Sequence, residues 1–463
     1  MFEDYFLQQQ DSFLQDLAPL LRIKSVSRPC EDPQAPCGVE VKQALDYMAS
    51  LACGYGFSAT NLGKVTQISW DESLPSDDRK TVYIACHADV VACSSGWTYP
   101  PYDLTVRDGR IYGRGVLDNK GAAMAVLYAL RALKERGIQP HVTLKLLIGG
   151  CEETSMADME EYASQYGMPD EALTPDSVFP IVNTEAGMIS ARICFDRPQA
   201  VGPLQLVQFS GGMASNAVPD RAQAVVECGK FASQVYALLR DRFDCTLCGT
   251  QIQIEATGIS AHASTPQEGK NAITTLAAGL ADVFAQHGSE QPFLTVLSQF
   301  FAGDFYAEKL GLSCSGPVMG PMTQNVGICD FANGYFTLDM RIPVSGQTER
   351  IQDRLAQLAQ TYGFRVEYEK VKEYTHVSPD SSFLRGLAAA YRAETGQPAA
   401  FLGSTGLTYS KAFAGRCVAF GPVYSEQGEE CGGLHGDDEY VRTDVLMRLA
   451  AVYAGVIRRL WCK

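Results

Sequence analysis

Short apolar, β-branched runs alternate along the chain with longer stretches whose hydrophobic residues recur roughly every three to four positions, and this alternation predicts an α/β fold. Residues 1 to about 22 place Phe6, Phe13, Leu14, Leu17 and Leu21 on one helical face, and a second helix is predicted from about Val39 to Tyr55. Between them the Pro-rich stretch Arg28 to Gly38 reads as a loop. Strands are predicted around Phe57 to Trp70 and at Thr81 to Cys86, then a hairpin at Asp108-Gly109 and a helix that opens near Asp118 and ends about Glu135. A buried strand at Val142 to Gly149, a helix at Asp158 to Gln165 and a third apolar strand at Val178 to Asn183 follow. The same style resumes near the end, with a helix at Ser382 to Thr395, a Gly-rich stretch at Gly403 to Gly406, a strand at Cys417 to Phe420 and a closing helix at about Thr443 to Leu460.

From about Met188 to Glu373 the texture changes to antiparallel strands and helices without acidic strand ends. A strand-helix-strand unit occurs there twice, as Arg221 to Gly229, Lys230 to Phe243 and Thr250 to Gly258, then as Gly334 to Pro343, Thr348 to Tyr362 and Phe364 to Val371. The repeat predicts two related α+β halves inside an inserted domain. The organisation expected is therefore an α/β domain with a central mixed sheet flanked by helices, built from residues 1–187 and 376–463 and interrupted by an α+β domain over residues 188–375.

Composition narrows the function. At 463 residues, with 46% hydrophobic and 20% charged positions, the chain is an ordinary globular protein of two or three domains. Its net charge of -15 argues against nucleic acid or an anionic membrane as partner. No stretch has the roughly 18 uninterrupted apolar residues of a membrane span, and the acidic start lacks the basic region of a signal peptide. Fifteen cysteines, an odd and scattered set, fit a reduced cytoplasmic setting better than a disulfide scaffold. Cys245 and Cys248 form an isolated Cys-x-x-Cys with no second pair to complete a zinc site.

Candidate chemistry gathers at element ends. The strand from Thr81 runs into His87 and Asp89, which point the same way on an extended chain, at the strand end where open α/β sheets collect their ligands. A satisfied core hydrogen bond is the alternative for this pair, as N-capping is for Asp118 at its helix start. Glu152 and Glu153 follow the next strand, with Gly149-Gly150 to bend the backbone, while Asp176 precedes the third strand and His435 lies in an acidic loop before the last helix. Imidazoles mixed with carboxylates suit zinc, manganese or cobalt, whereas an all-oxygen set would suit magnesium or calcium.

The motifs Cys86-His87-Ala88-Asp89-Val90-Val91, Tyr112-Gly113-Arg114-Gly115-Val116-Leu117-Asp118-Asn119-Lys120-Gly121, Gly150-Cys151-Glu152-Glu153-Thr154 and Pro175-Asp176-Ser177-Val178-Phe179-Pro180 resemble those of the two-metal peptidases of the aminoacylase, carboxypeptidase G and carnosinase superfamily, and within it the dipeptidase V type. The resemblance runs nearly end to end and implies a zinc-peptidase-like catalytic domain with an inserted lid. It implies His87 and Asp176 on one divalent metal, Glu153 and His435 on the other, and Asp118 bridging them. Zn²⁺ is the first choice, with Mn²⁺ or Co²⁺ as alternatives. Glu152 becomes the general base acting on a water between the metals, Asp89 the partner that orients His87, and a cis peptide is implied after Asp118.

In the insertion, Ser260 to Pro266 with Gly269 to Ala272 resembles the lid motif whose His262 would stabilise the oxyanion. Gly211 to Asp220 resembles the motif whose Asn216 would contact substrate, and Asp339 to Pro343 the one whose Arg341 would take the substrate's carboxylate. Gly406 belongs to a segment implied near the substrate, in which Leu407 and Lys411 replace a usual Gly and Arg. Ala92 stands for a common Pro and Cys151 for a common Asp, while His141, His287 and His376 match no motif.

The implied activity is that of a metal-dependent dipeptidase acting on short peptides with a free C-terminal carboxylate. An N-acyl or N-succinyl amino acid deacylase is the enzymatic rival, and a non-catalytic metal-dependent binding protein is the rival from another class. Glu152, a base that binding alone would not require, argues against the latter. In many relatives a small lid dimerises so that a neighbour's His completes the site, so a doubled lid predicts a functional monomer.

Overall fold

The run Thr81–His87 is a strand buried from Val82 onward, as a strand covered on both faces must be. In the computed structural model, which describes residues 2–70, 79–196, 200–424 and 430–463, it lies between Thr143–Gly149 and Glu171–Thr174, both parallel to it. Register sets His87 opposite Gly149, so these strands end along one edge of a 9-stranded mixed sheet. The chain leaves that edge towards Asp89, Glu152, Glu153 and Asp176. This sheet belongs to the first of two units, Met1–Thr184 with Thr375–Lys463; the second is Glu185–Tyr374.

In the first unit, the helices Lys120–Glu135 and Thr443–Trp461 bury Met124, Leu127, Leu446 and Leu449 in the largest apolar cluster. A separate 4-stranded sheet, in the order Cys431–Gly432, Tyr440–Arg442, Arg110–Tyr112 and Thr105–Arg107, brings the acidic loop of the C-terminal part beside the segment that leads to Asp118.

Several elements differ from expectation for local reasons. The N-terminal helix breaks at Gln9 (φ -90°, ψ 0°) into Glu3–Gln8 and Gln10–Arg22. The Phe57 to Trp70 strand is a hairpin, Ser58–Asn61 with Val65–Ser69, whose turn uses the Asn61 side chain as acceptor for the Gly63 N–H (2.8 Å). The strand expected at Val178 to Asn183 is divided at Pro180, which has no N–H for a ladder, into Ser177–Phe179 and Ile181–Glu185. Glu171–Thr174 is a strand that periodicity did not reveal, being only 4 residues long.

The second unit is an 8-stranded antiparallel sheet in the order Asp244–Cys248, Gln251–Thr257, Arg221–Glu227, Gln205–Gly211, Thr323–Asp330, Tyr335–Ile342, Gly187–Phe195 and Phe364–Lys372. Gln251–Thr257 alternates exposed and buried positions, so one face is covered. The helices Ala232–Leu239, Ala272–Gln286, Pro292–Phe300 and Thr348–Tyr362 contribute Val235, Leu276, Phe293 and Leu355 to its core. At mid-sheet, Gln205–Gly211 meets Thr323–Asp330 only through Ser210↔Asp330 and Gly211↔Cys329.

One cysteine pair departs from the all-reduced expectation. Cys37 is bonded to Cys151 across a sequence separation of 114, tying the loop before helix Val39–Gly54 to the residue preceding Glu152. No other cysteine among the described residues is disulfide-bonded.

Candidate metal centre

His87 is held by its own strand end. Its Nδ1 lies 3.0 Å from the Asp89 carbonyl oxygen and 3.5 Å from Asp89 Oδ1, which leaves Nε2 facing Asp118 Oδ1 at 3.0 Å and Asp176 Oδ1 at 3.6 Å. The buried Asp89 carboxylate also accepts the N–H groups of Glu152 (3.2 Å) and Glu153 (3.1 Å). One acid thus ties the imidazole to the turn carrying both glutamates.

Asp118 is placed by a second buried acid. Glu439, wholly buried, accepts the N–H groups of Gly115 (2.9 Å), Leu117 (2.9 Å) and Asp118 (3.1 Å), with the Arg114 guanidinium at 2.8 Å. The Asp118-Asn119 peptide is cis. The N-cap position of helix Lys120–Glu135 belongs to Asn119, whose side chain makes no cap bond and instead donates to Asp176 Oδ1 (3.0 Å) and the Pro175 carbonyl (2.5 Å). The capping alternative for Asp118 is thereby displaced, because its carboxylate lies between two imidazoles. His435 Nε2 approaches Asp118 Oδ2 at 3.1 Å and Glu153 Oε2 at 3.2 Å. His435 holds φ 56°, a left-handed conformation that costs a residue with a Cβ about 1 kcal/mol and persists where the surroundings impose it.

Donor atoms of His87, Glu152 and Asp176, and those of His87, Asp118 and Glu153, lie within 4.8 Å of one another, the spacing of ligands around a cation. The electrostatics carry the same mark. Burial pushes the His87 imidazole down, but Asp176, Asp118 and Asp89 overcome this and raise it well above its usual value. Hydrogen bonds to Asp118 and Glu153 push His435 up to about 10 against the effect of burial. Burial raises Asp176 to about 6, with His87 opposing and the charges of Asp118 and Glu153 adding to it. Glu152 is raised well above the carboxylate range, by burial first and then by Asp176. Asp118 moves the other way, because both imidazoles outweigh its burial. Like charges crowd here with protons standing in for cations, and Glu152 Oε1 is buried with no hydrogen-bond partner among the described residues. The residues fit a pair of divalent metals of the borderline class.

The other sequence-derived candidates lie elsewhere. In the second unit Ala217 pairs with His262 in a short two-stranded ladder, and the Asn216 carbonyl accepts the Ala263 N–H (2.9 Å), so Asn216 and His262 are neighbours. Both side chains are exposed, and His262 Nδ1 lies 2.6 Å from Ser264 Oγ. Arg341 is buried, with its Nε and Nη2 on Asp339 at 2.7 and 3.0 Å. In the first unit Gly406 is exposed in the loop after strand Phe401–Ser404, Leu407 packs against the cluster around Tyr409, and buried Lys411 donates to Thr375 Oγ1 (3.3 Å). Of the unmatched histidines, His287 Nδ1 meets the Val283 carbonyl and His376 Nδ1 meets Thr184 Oγ1. Sequence reasoning missed Asn119, Arg114 and Glu439. The first two stand inside a quoted motif, and Glu439 lies four residues beyond His435, but no spacing rule singles out an acid whose partners are backbone amides.

The family model described as Peptidase family M20/M25/M40 matches residues 83–459. A protein of Bacillus subtilis (strain 168) named "Putative dipeptidase YtjP" is 31% identical over 468 residues, covering 98% of each chain. Among solved structures, human carnosine dipeptidase 1 superposes with a TM-score of 0.59 at 15% identity, covering 99% of this chain and 98% of that one. The di-peptidase Dug1p from Saccharomyces cerevisiae gives 0.58 at 14%, with the same coverage. These two likenesses are of fold.

Proposed function

The chain belongs to peptidase family M20/M25/M40, and on that premise we propose a metal-dependent dipeptidase that hydrolyses dipeptides or short peptides with a free C-terminal carboxylate. The observation that carries this reading is the Asp118 carboxylate, whose two oxygens meet imidazoles brought from distant parts of the chain, His87 at 3.0 Å and His435 at 3.1 Å. A carboxylate shared by two imidazoles is the donor arrangement for two cations, with Asp176 beside His87 and Glu153 beside His435. Two bound divalent ions, Zn²⁺ first and Mn²⁺ or Co²⁺ as alternatives, would polarise the scissile carbonyl and acidify the attacking water. Glu152 takes the proton from that water and passes it to the leaving amine. Asp89 keeps the His87 ring oriented while it holds the Glu152 turn.

From the second unit, His262 donates to the developing oxyanion, Asn216 contacts the substrate, and Arg341 takes the substrate carboxylate with a fork whose plane Asp339 fixes. Gly406 lines the substrate's path. The doubled strand-helix-strand units supply both halves of a lid in one chain, so the working protein is a monomer; a sedimentation measurement giving an obligate dimer would refute this. A cytoplasmic setting agrees with the odd, scattered set of cysteines, while the Cys37–Cys151 bond speaks for an oxidising one. A count of reactive thiols on protein isolated without reductant decides between them.

The test of the activity uses chelator-stripped protein and a panel of dipeptides, β-Ala-His and acylated amino acids. Dipeptide cleavage restored by Zn²⁺ or Mn²⁺ and abolished in Glu152→Ala supports the reading; cleavage of acylated amino acids alone makes the protein a deacylase.

A further inference from the structure

Behind the Glu152 turn lies a second buried acid that the hydrolytic chemistry does not use. Asp158, in helix Ala157–Tyr166, is 1% exposed. Its Oδ2 accepts the N–H groups of Gly150 (2.8 Å) and Cys151 (2.9 Å) and the hydroxyl of Tyr409 (2.6 Å), and its Oδ1 accepts the Met159 N–H (2.9 Å). Since Asp89 takes the N–H groups of Glu152 and Glu153, every backbone amide from Gly150 to Glu153 ends on a buried carboxylate.

Tyr409 is fully buried, and its phenol is pushed well above its usual value by burial and then by the charges of Asp158, Asp89 and Glu152, so towards Asp158 it acts as donor only. Its ring meets the His87 ring edge-on, with centroids 6.4 Å apart at 86°. The pair also dictates a glycine. A Cβ on Gly149 would lie 1.9 Å from Tyr409 Oη and 2.5 Å from Asp158 Oδ2. Filling this space with apolar side chains would avoid the several kcal/mol that sequestering a carboxylate costs, so an arrangement kept for packing alone is a poor account of it.

We propose that Asp158 and Tyr409 are positioning residues for hydrolysis: together they fix the 149–153 turn, and so the direction of Glu152, and couple that turn to the His87 ring. The proposal rests on Glu152 as the base. A base displaced by about 1 Å can lose on the order of a hundredfold in rate, which is the effect this scaffold would prevent.

Tyr409→Phe removes one oxygen and keeps the ring against His87. For whichever amide the wild-type enzyme cleaves, kcat should fall about tenfold with KM changed less than about twofold, and bound metal should stay at the wild-type level. Deuterium uptake in a peptide covering residues 149–153 should rise in the metal-free protein. Asp158→Asn should fall further, about a hundredfold, and the double variant no further than Asp158→Asn, because the hydroxyl acts through that carboxylate. Unchanged kcat in Tyr409→Phe, unchanged exchange, or loss of metal in parallel with kcat would each overturn the proposal. If wild-type protein cleaves no dipeptide, the functional reading falls, and the exchange measurement still decides whether the pair holds the turn.

Discussion

The two units hold their candidate residues in opposite ways. At the sheet edge of the first, His87 and Asp89 are 0% exposed, Glu152 is 6% exposed, and the stretches that carry Asp118, Glu152 and Glu153 are held by the buried acids Glu439, Asp158 and Asp89, although His435 is itself exposed. In the second, Asn216 and His262 are exposed, His262 in a two-residue ladder with Ala217–Val218 and Asn216 immediately before that strand. The difference follows from the charges involved. Several carboxylates gathered at one point repel one another and can be kept there only by a rigid frame with matched donors, whereas a neutral donor recruited to a transient oxyanion needs no such frame before substrate arrives. Arg341 is the instructive exception, a charged group in the second unit that is buried and paired at once.

This contrast can be broken by substitution. The largest effect is expected from Glu152→Gln, which keeps size and burial but removes the proposed base; turnover should drop by about 10³ while bound metal stays at the wild-type level, read by kinetics alongside metal analysis. His262→Ala should cost about a hundredfold in kcat, the value of one oxyanion donor, with fold and metal content untouched because its side chain is exposed. A comparable loss of folded protein in His262→Ala would erase the distinction between the frame and the recruited donor.

How far the chain itself announces this site depends on the kind of partner each residue has. The residues proposed to hold the metals and the base sit in motifs, so His87, Asp118, Glu152, Glu153 and Asp176 were legible, and the structure brings them together with His435. The buried run Thr81–His87 was equally plain, because a strand covered on both faces must be apolar throughout. Asp158 and Glu439 were not, since most of their partners are main-chain amides, of Gly150, Cys151 and Met159 for the one and of Gly115, Leu117 and Asp118 for the other, and an amide has no letter in the sequence. The strand Glu171–Thr174 hid for want of length, and Pro180 divides an apolar run whose periodicity is otherwise that of one strand. The Cys37–Cys151 pairing connects positions too far apart for any local pattern to reveal.

A smaller effect sharpens the contrast through pH. In metal-free protein the hydrogen bonds to Asp118 and Glu153 raise His435 to about 10, so its imidazole is protonated near pH 7 and a divalent ion must displace that proton to bind, while the neighbouring carboxylates shift His87 in the same direction. Apparent metal affinity should therefore climb with pH, by about tenfold per pH unit for each proton released, between pH 6 and 8. Competition against a chromogenic chelator at several pH values measures the slope. His262→Ala should leave it unchanged and His435→Ala should flatten it; equal slopes in wild type and His435→Ala would mean that His435 is no ligand.

The smallest effect concerns how rigid the frame must be. The Cys37–Cys151 bond closes a long loop in the first unit, and a link of that kind stabilises by about 2 to 4 kcal/mol, chiefly by restricting the unfolded chain. Its sulfur is attached to the residue whose N–H already rests on Asp158, so the turn has a second anchor once the bond is gone. Cys37→Ser should accordingly lower the melting temperature by several degrees while kcat changes less than about threefold. A loss of kcat as large as that of Asp158→Asn would show instead that the covalent link, and not the hydrogen-bonded acid, sets the direction of Glu152.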